Sequence, residues 1–193
     1  MVNKRITALK FKRRRKGLTD YRSRLALVKG GMLRVVVRKS NRGIIGQVAK
    51  YSEKGDIILK SADSRELLSD EYKWPSKANR PTAYLVGLLL AKKAKDLSNE
   101  DFVLDIGIST PTPNSVAFSF AKGFKDGGMK LRSGIDIPSN VYDGTLIAEY
   151  AEMLKKDDPE GYKRQFGEYI KKGVAPEGLK AKFEEVKNKI IGK

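Results

Sequence analysis

The sequence of 193 residues contains no cysteine and no histidine. Disulfides are therefore excluded, and so are zinc sites of the usual Cys/His kind. A cysteine nucleophile and a histidine general base are excluded too, together with any triad built on either. The lack of cysteine fits a cytosolic protein. Long apolar runs are missing as well. The longest, Ala83 to Ala91, is interrupted in character by Tyr84 and Gly87, and it has about half the ~20 residues that a membrane-spanning helix needs. It reads as a core helix of a soluble protein with no membrane partner. Residues 1–16 are basic without the apolar run that a signal peptide requires. No P-loop, no G-x-G-x-x-G and no internal repeat are present.

Acidic residues are scarce in one place only. Between Met1 and Arg42 the single acid is Asp20, against fifteen Lys and Arg, so this stretch carries +14 of the formal +17 and the remaining 151 residues only +3. A charge of that size repels itself in a compact monomer, and a polyanion is the natural partner. The hydrophobic fraction of 40% is enough to build a core, so global disorder is not expected. The grip on the partner is expected from one end of the chain.

The basic end divides into three devices. Lys10, Lys12, Arg13, Arg14, Arg15 and Lys16, with Phe11 between the first two, form a basic arm. Its like charges keep it extended until phosphates order it and release counterions. A localisation tag has the same composition. Thr19 to Lys29 reads as a helix, with Thr19 as N-cap, Asp20 at the positive end of the dipole and Gly30-Gly31 as the stop. Leu25 and Val28 would face inward, while Tyr21, Arg22 and Arg24 would face unstacked bases or phosphates, although Tyr21 could equally be a core tyrosine. Leu33 to Arg38 then alternates as a strand, and Ile44 to Tyr51 returns as a second one. The turn between them gathers Arg38, Lys39, Ser40, Asn41 and Arg42, a tip suited to an RNA backbone or loop.

Further on, Ile57 to Leu59 reads as a third strand, Ala62 to about Ser69 as a short helix, and Pro81 opens a helix ending near Leu97 with Leu85, Leu88 and Leu89 inward. Phe102 to Ile108 is almost continuously apolar, as in a central strand covered on both faces. Val116 to Phe124 forms a largely apolar helix that Gly127-Gly128 ends. This order implies an α/β fold, a mixed β-sheet flanked by helices, with a core ending near residue 130. Three amphipathic helices follow, marked by Leu146, Tyr150, Met153 and Leu154, by Tyr162, Phe166, Tyr169 and Ile170, and by Leu179, Phe183, Val186 and Ile190. The expected division is a basic arm at 1–18, an α/β RNA-binding core at 19–130 and a helical C-terminal extension at 131–193.

One stretch has the look of chemistry. Asp105-Ile106-Gly107-Ile108-Ser109-Thr110 resembles the phosphate-binding turn of the ribonuclease H/actin-like group. A metal-dependent nuclease would need further convergent carboxylates, for which Asp56 and Asp126 or Asp136 are the candidates, and none sits in a companion motif. The bland alternative is a strand end stopped by the rigid Thr110-Pro111-Thr112-Pro113 loop. No enzyme, catalytic residue, metal, cofactor or small-molecule substrate is expected.

Several segments occur together in one family's order. They are Gly17 to Leu25, Val37 to Gln47, Ala83 to Ala91, Phe102 to Ile108, Thr110 to Pro113, Lys122 to Gly128 and Ile135 to Pro138. Over roughly residues 10–140 the chain resembles the universal 5S-rRNA-binding protein of the large ribosomal subunit, numbered eighteen in the bacterial and archaeal scheme. Its length and helical tail resemble the archaeal and eukaryotic form. The resemblance implies a translational-machinery fold related to the ribonuclease H-like group without its catalysis, in a cytoplasmic, ribosome-bound protein. It implies binding to 5S rRNA beside the universal fifth large-subunit protein and other central-protuberance proteins, and attachment of 5S to 23S rRNA. It places the arm, Thr19 to Arg24 and Arg38 to Arg42 on RNA. A general RNA chaperone is the alternative within the binding class.

Overall fold

The computed structural model describes residues 9–75, 78–134 and 136–192; the arm's Lys4 and Arg5, and Ile135 of the last family segment, lie outside them. A single helical turn, α1 (Lys12–Arg15), precedes α2 (Tyr21–Lys29). The antiparallel strands β1 (Leu33–Ser40), β2 (Gly43–Lys50) and β3 (Ile57–Asp63) follow, each paired with the next. Then come α3 (Arg80–Lys93), β4 (Asp101–Asp105), α4 (Val116–Asp126) and β5 (Lys130–Arg132). The last part is α5 (Thr145–Asp157), α6 (Pro159–Lys171) and α7 (Leu179–Ile191). The sheet has five strands in the order β3-β2-β1-β4-β5, with β4 parallel to both its neighbours. This is the expected α/β fold on a mixed sheet.

Strand alternation decides what each face of the sheet does. Val35 and Val37 of β1, Ile44 and Val48 of β2, Ala62 of β3 and Phe102 of β4 point into one core. Over that face lies α3, started by Asn79, whose side-chain oxygen accepts the Thr82 N–H at 2.9 Å, and by Pro81 in the first turn. Every residue from Pro81 to Ala91 is buried, because α3 is covered by the sheet, by α4 and by α7. Its approach to α4 depends on two glycines. A Cβ on Gly87 would strike the Phe120 carbonyl, and one on Gly123 would strike the Tyr84 carbonyl. Backbone on backbone leaves no flexible side chain to yield.

Packing continues past residue 130. Leu131, Ile137 and Tyr142, and the α7 stripe Leu179, Phe183, Val186 and Ile190, belong to the same apolar cluster as the sheet. Tyr84 of α3 stacks flat on Tyr142 with ring centres 4.4 Å apart and meets Phe183 at 5.3 Å. Its hydroxyl donates to Asp126 Oδ2 at 2.8 Å, and burial together with that hydrogen bond raises the Tyr84 pKa.

Some expectations change. Ala62 is not helical: it pairs with Gly46 inside β3, and only Glu66–Leu68 forms a 3-10 turn, with Glu66 Oε1 accepting the Asp63 N–H at 3.0 Å. The central strand stops at Asp105 rather than Ile108, because the carboxylate accepts the Gly107 N–H at 2.9 Å and Gly107, at φ +68°, turns the chain away. Ile108 is left exposed. Leu25 also faces solvent, while Leu27 and Val28 are half-buried. The short parallel strand β5 is not foreshadowed by the residue pattern.

Replacing Gly87 or Gly123 by alanine should force α3 and α4 apart and lower stability by about 1–3 kcal/mol. Urea denaturation measures this, and an unchanged midpoint would show that the helix pair yields without cost.

Candidate nucleic-acid interface

The arm is less extended than its charge predicts. Residues 12–15 make one helical turn, closed where Gly17, at φ +64°, lets its N–H reach the Arg14 carbonyl at 3.1 Å and the Leu18 N–H reach that of Arg13 at 2.9 Å. Two contacts tie this turn to α2. Arg13 Nε donates to Thr19 Oγ1 at 2.9 Å, and the Phe11 and Tyr21 rings lie 5.3 Å apart. Local hydrogen bonds therefore offset part of the repulsion, while Lys10, Lys12, Arg14, Arg15 and Lys16 all remain exposed.

Helix α2 begins one residue later than expected. Asp20, not Thr19, is the N-cap, with Oδ1 accepting the N–H groups of Arg22 at 3.0 Å and Ser23 at 3.4 Å. A carboxylate serves the helix dipole better than a hydroxyl, and Thr19 is occupied by Arg13. The Ser23 hydroxyl, the two backbone donors and nearby Arg14 hold the Asp20 carboxyl below its ordinary range. Arg22 is exposed, and Tyr21 is half-buried against Phe11.

Beneath α2 runs an alternating row of charges. Arg24 Nη2 donates to both oxygens of Asp56 at 2.9 and 3.0 Å. Arg34, buried in β1, places Nη2 2.7 Å from Asp56 Oδ1 and Nη1 3.2 Å from Asp105 Oδ2. Arg38 then donates to Asp105 Oδ1 at 3.0 Å, and to the carbonyls of Asp105 and Val37 at 2.9 and 2.8 Å. The sequence Arg24, Asp56, Arg34, Asp105, Arg38 thus stitches α2, the β2–β3 loop, β1 and β4 together. Burial works against ionisation of Asp56, but the ion pair with Arg34 and the hydrogen bonds from Arg24 outweigh it and hold its pKa below the ordinary 3.8.

This row answers the question raised by the enzyme-like stretch. Asp105 and Asp56 do come close, but both are turned onto the Arg34 guanidinium. Asp126 accepts from Tyr84, and Asp136 accepts from Lys122 at 3.1 Å, away from that pair. Among the described residues no group of three or more acids is placed to hold a metal ion.

At the hairpin tip the strands reach further than expected, to Ser40 and Gly43, so only Asn41 and Arg42 form the turn. Ser40 Oγ donates to the Gly43 carbonyl at 3.1 Å and accepts the Arg42 N–H at 3.2 Å. Lys39, Asn41 and Arg42 project into solvent. The expected contact residues therefore fall into two sets. Arg13, Thr19, Tyr21, Arg24, Arg38 and Ser40 have partners within the chain, and Arg14 lies near enough to Asp20 to act on its carboxyl. Among the described residues, the side chains of Lys10, Lys12, Arg15, Lys16, Arg22, Lys39, Asn41 and Arg42 have none. Sequence reasoning missed Arg34. Its signal was an arginine alternating with Leu33 and Val35, hence on the face opposite the core, with two unexplained aspartates elsewhere in the chain.

A family model described as ribosomal large subunit proteins 60S L5, and 50S L18, matches residues 5–101, half of the chain. The matched span includes α1, α2, the β1–β2 hairpin and α3.

Arg34→Met should lower stability by about 3–5 kcal/mol, because it leaves two carboxylates without their shared cation. Denaturant unfolding at neutral pH measures this. Asp56→Asn tests the same row through pH. With its pKa depressed on folding, Asp56 contributes stability that is present above the ordinary value of 3.8 and lost as pH falls through the folded-state value. The variant should therefore lose stability less steeply with acid below about pH 4 than the parent. Parallel acid curves would show that Asp56 is not stabilised by its arginines.

Proposed function

The chain belongs to the family of large-subunit ribosomal proteins 60S L5 and 50S L18, a cytoplasmic ribosomal constituent, and on that premise we propose that it binds 5S rRNA. In this reading it also helps attach 5S to 23S rRNA in the central protuberance, beside the universal fifth large-subunit protein. The observation that carries the reading is the sorting of cations. One end of the chain presents Lys10, Lys12, Arg14, Arg15, Lys16, Arg22, Lys39 and Arg42 exposed and, apart from Arg14 near Asp20, without an acidic partner among the described residues.

The division of labour follows from what each group touches. The arm supplies affinity: its cations displace counterions from phosphates, whatever the sequence. Helix α2 and the hairpin tip supply shape. They are held at a fixed separation by the Arg24 to Arg38 row, so Arg22, Lys39, Asn41 and Arg42 meet a folded RNA as one surface. Arg13, Thr19, Arg24, Arg38 and Ser40 act mainly by keeping that surface in place. The work is electrostatic neutralisation and fit, with no bond made or broken. The arm at 1–18 would then contribute affinity and the core at 19–130 specificity, with the extension at 131–193 packed behind them through α7.

Competition between 5S rRNA and an unrelated RNA of equal length, at fixed salt, tests the reading. The chain should prefer 5S rRNA; equal affinity would leave only a general RNA chaperone. Removing residues 1–16 should weaken binding and flatten its salt dependence, by roughly 0.7–0.9 in log–log slope for each phosphate no longer neutralised. An unchanged slope would mean that the arm is idle. Lys39→Ala with Arg42→Ala should weaken binding at an unaltered unfolding midpoint. Arg38→Ala should lower that midpoint, because its guanidinium holds Asp105.

A further inference from the structure

The hairpin tip has a neighbour that the charge map does not reveal. Asn41 and Arg42 form one wall of a groove of about 1010 Å³ whose other wall is α5 and α6. Arg65 lies at its rim, and Leu146, Tyr150 and Phe166 line its apolar part. The size is at the upper end of the roughly 300–1,000 Å³ typical of small-molecule pockets.

The chemistry of the lining narrows the occupant. The Tyr150 ring, 45% exposed, leans on Phe166 with ring centres 6.2 Å apart. Phe166 in turn is fixed by Tyr169 and Tyr162, at 5.8 and 5.4 Å, and is itself buried. Tyr150 thus touches a buried aromatic cluster at a 56° tilt while nearly half of it stays open to solvent. Around it are donors and acceptors that face solvent: among the described residues, the amides of Asn41 and Gln165, the Tyr150 hydroxyl and the Arg42 guanidinium have no protein partner. Arg65 is held to Asp63 through Nε at 3.0 Å and Nη2 at 2.7 Å, and its exposed guanidinium keeps Nη1 without a partner among the described residues. The acid on the lining, Glu168, has an interaction of its own.

An apolar protein segment seated here would strip water from the Arg42 guanidinium and two amides without replacing their hydrogen bonds, which is costly. A nucleotide would not. Its base has a π-face for Tyr150 and edges for amides, and its phosphate is an anion for Arg42 and Arg65. We propose that this groove receives an unpaired RNA nucleotide, its base stacked on Tyr150 and its phosphate on Arg42 and Arg65. The C-terminal helices then extend the RNA surface of the hairpin instead of forming a separate face for protein.

The inference rests on the RNA-binding reading above, and the test separates the two. Tyr150→Ala, in the full chain, should lower affinity for 5S rRNA by about 5- to 100-fold. Its salt slope should be unchanged, since no charge is removed, and Tyr150→Phe should retain binding. Ultraviolet irradiation of the wild-type complex should cross-link the peptide bearing Tyr150 to an unpaired nucleotide, a readout that does not depend on the variant folding. Wild-type affinity in a folded Tyr150→Ala chain, or cross-links confined to base-paired nucleotides, overturns the proposal and leaves the groove to a protein. Should the wild type prefer no RNA while Tyr150→Ala weakens binding to all of them, the groove stands and the 5S assignment falls.

Discussion

The guanidinium of Arg34, buried to 1% exposure between Asp56 and Asp105, is the contact on which the rest of the basic end depends. An isolated charge in that position would be prohibitive, and a pair of carboxylates beside it makes it tolerable. The site is not ideal. Nη2 lies within ion-pair distance of Asp56 but off the line of a hydrogen bond, and Nε has no partner among the described residues. Such a site adds little to stability over apolar residues in place of all its partners, while removing one partner alone is expensive. What it supplies is position. A planar fork reaches two carboxylates at once, where a lysine would offer one point charge.

From that centre the cations sort themselves. Those whose geometry reaches an acid or a hydroxyl, Arg13, Arg24 and Arg38, become part of the framework. Those that do not are left at the surface with their charge undiminished. The distal helices behave differently, because there acids are plentiful and cations are matched. Hydrogen bonds from Lys182 and Lys189 pull the Glu185 carboxyl down to about 2, and Lys155 holds Glu177 below its ordinary range. A net charge of +17 is therefore not spread as a uniform strain; most of it is concentrated at one end of the chain.

Much of this was legible in the sequence, and the reasons for the exceptions are physical. Helices α4 to α7 announce themselves because burying a stripe imposes a period, α3 does so through Pro81 and a nearly unbroken apolar run, and the β1–β2 hairpin through β-branched alternation around Ser40-Asn41-Arg42-Gly43. The misreadings sit where a distant partner decides. Ala62 is a strand residue because Gly46 pairs with it, and β5 exists only because β4 offers it an edge. Asp105 resembled a catalytic acid, since the spacing Asp-x-Gly describes a strand end tightened by a local turn, whatever lies opposite the carboxylate. Composition showed where the cations are concentrated. It did not foretell which arginines were already taken.

The parallel pairing of β1 with β4 has a consequence in time. Arg34 and Arg38 meet Asp105 across 71 and 67 residues of chain. During synthesis, at roughly 5–20 residues per second, the basic end leaves the exit tunnel several seconds before its anchoring carboxylate is made. In that interval the arginines destined for the charge row are as free as those that stay exposed on the surface. The nascent chain is therefore at its most indiscriminately adhesive just before β4 is added, and completing the sheet withdraws the surplus cations from circulation.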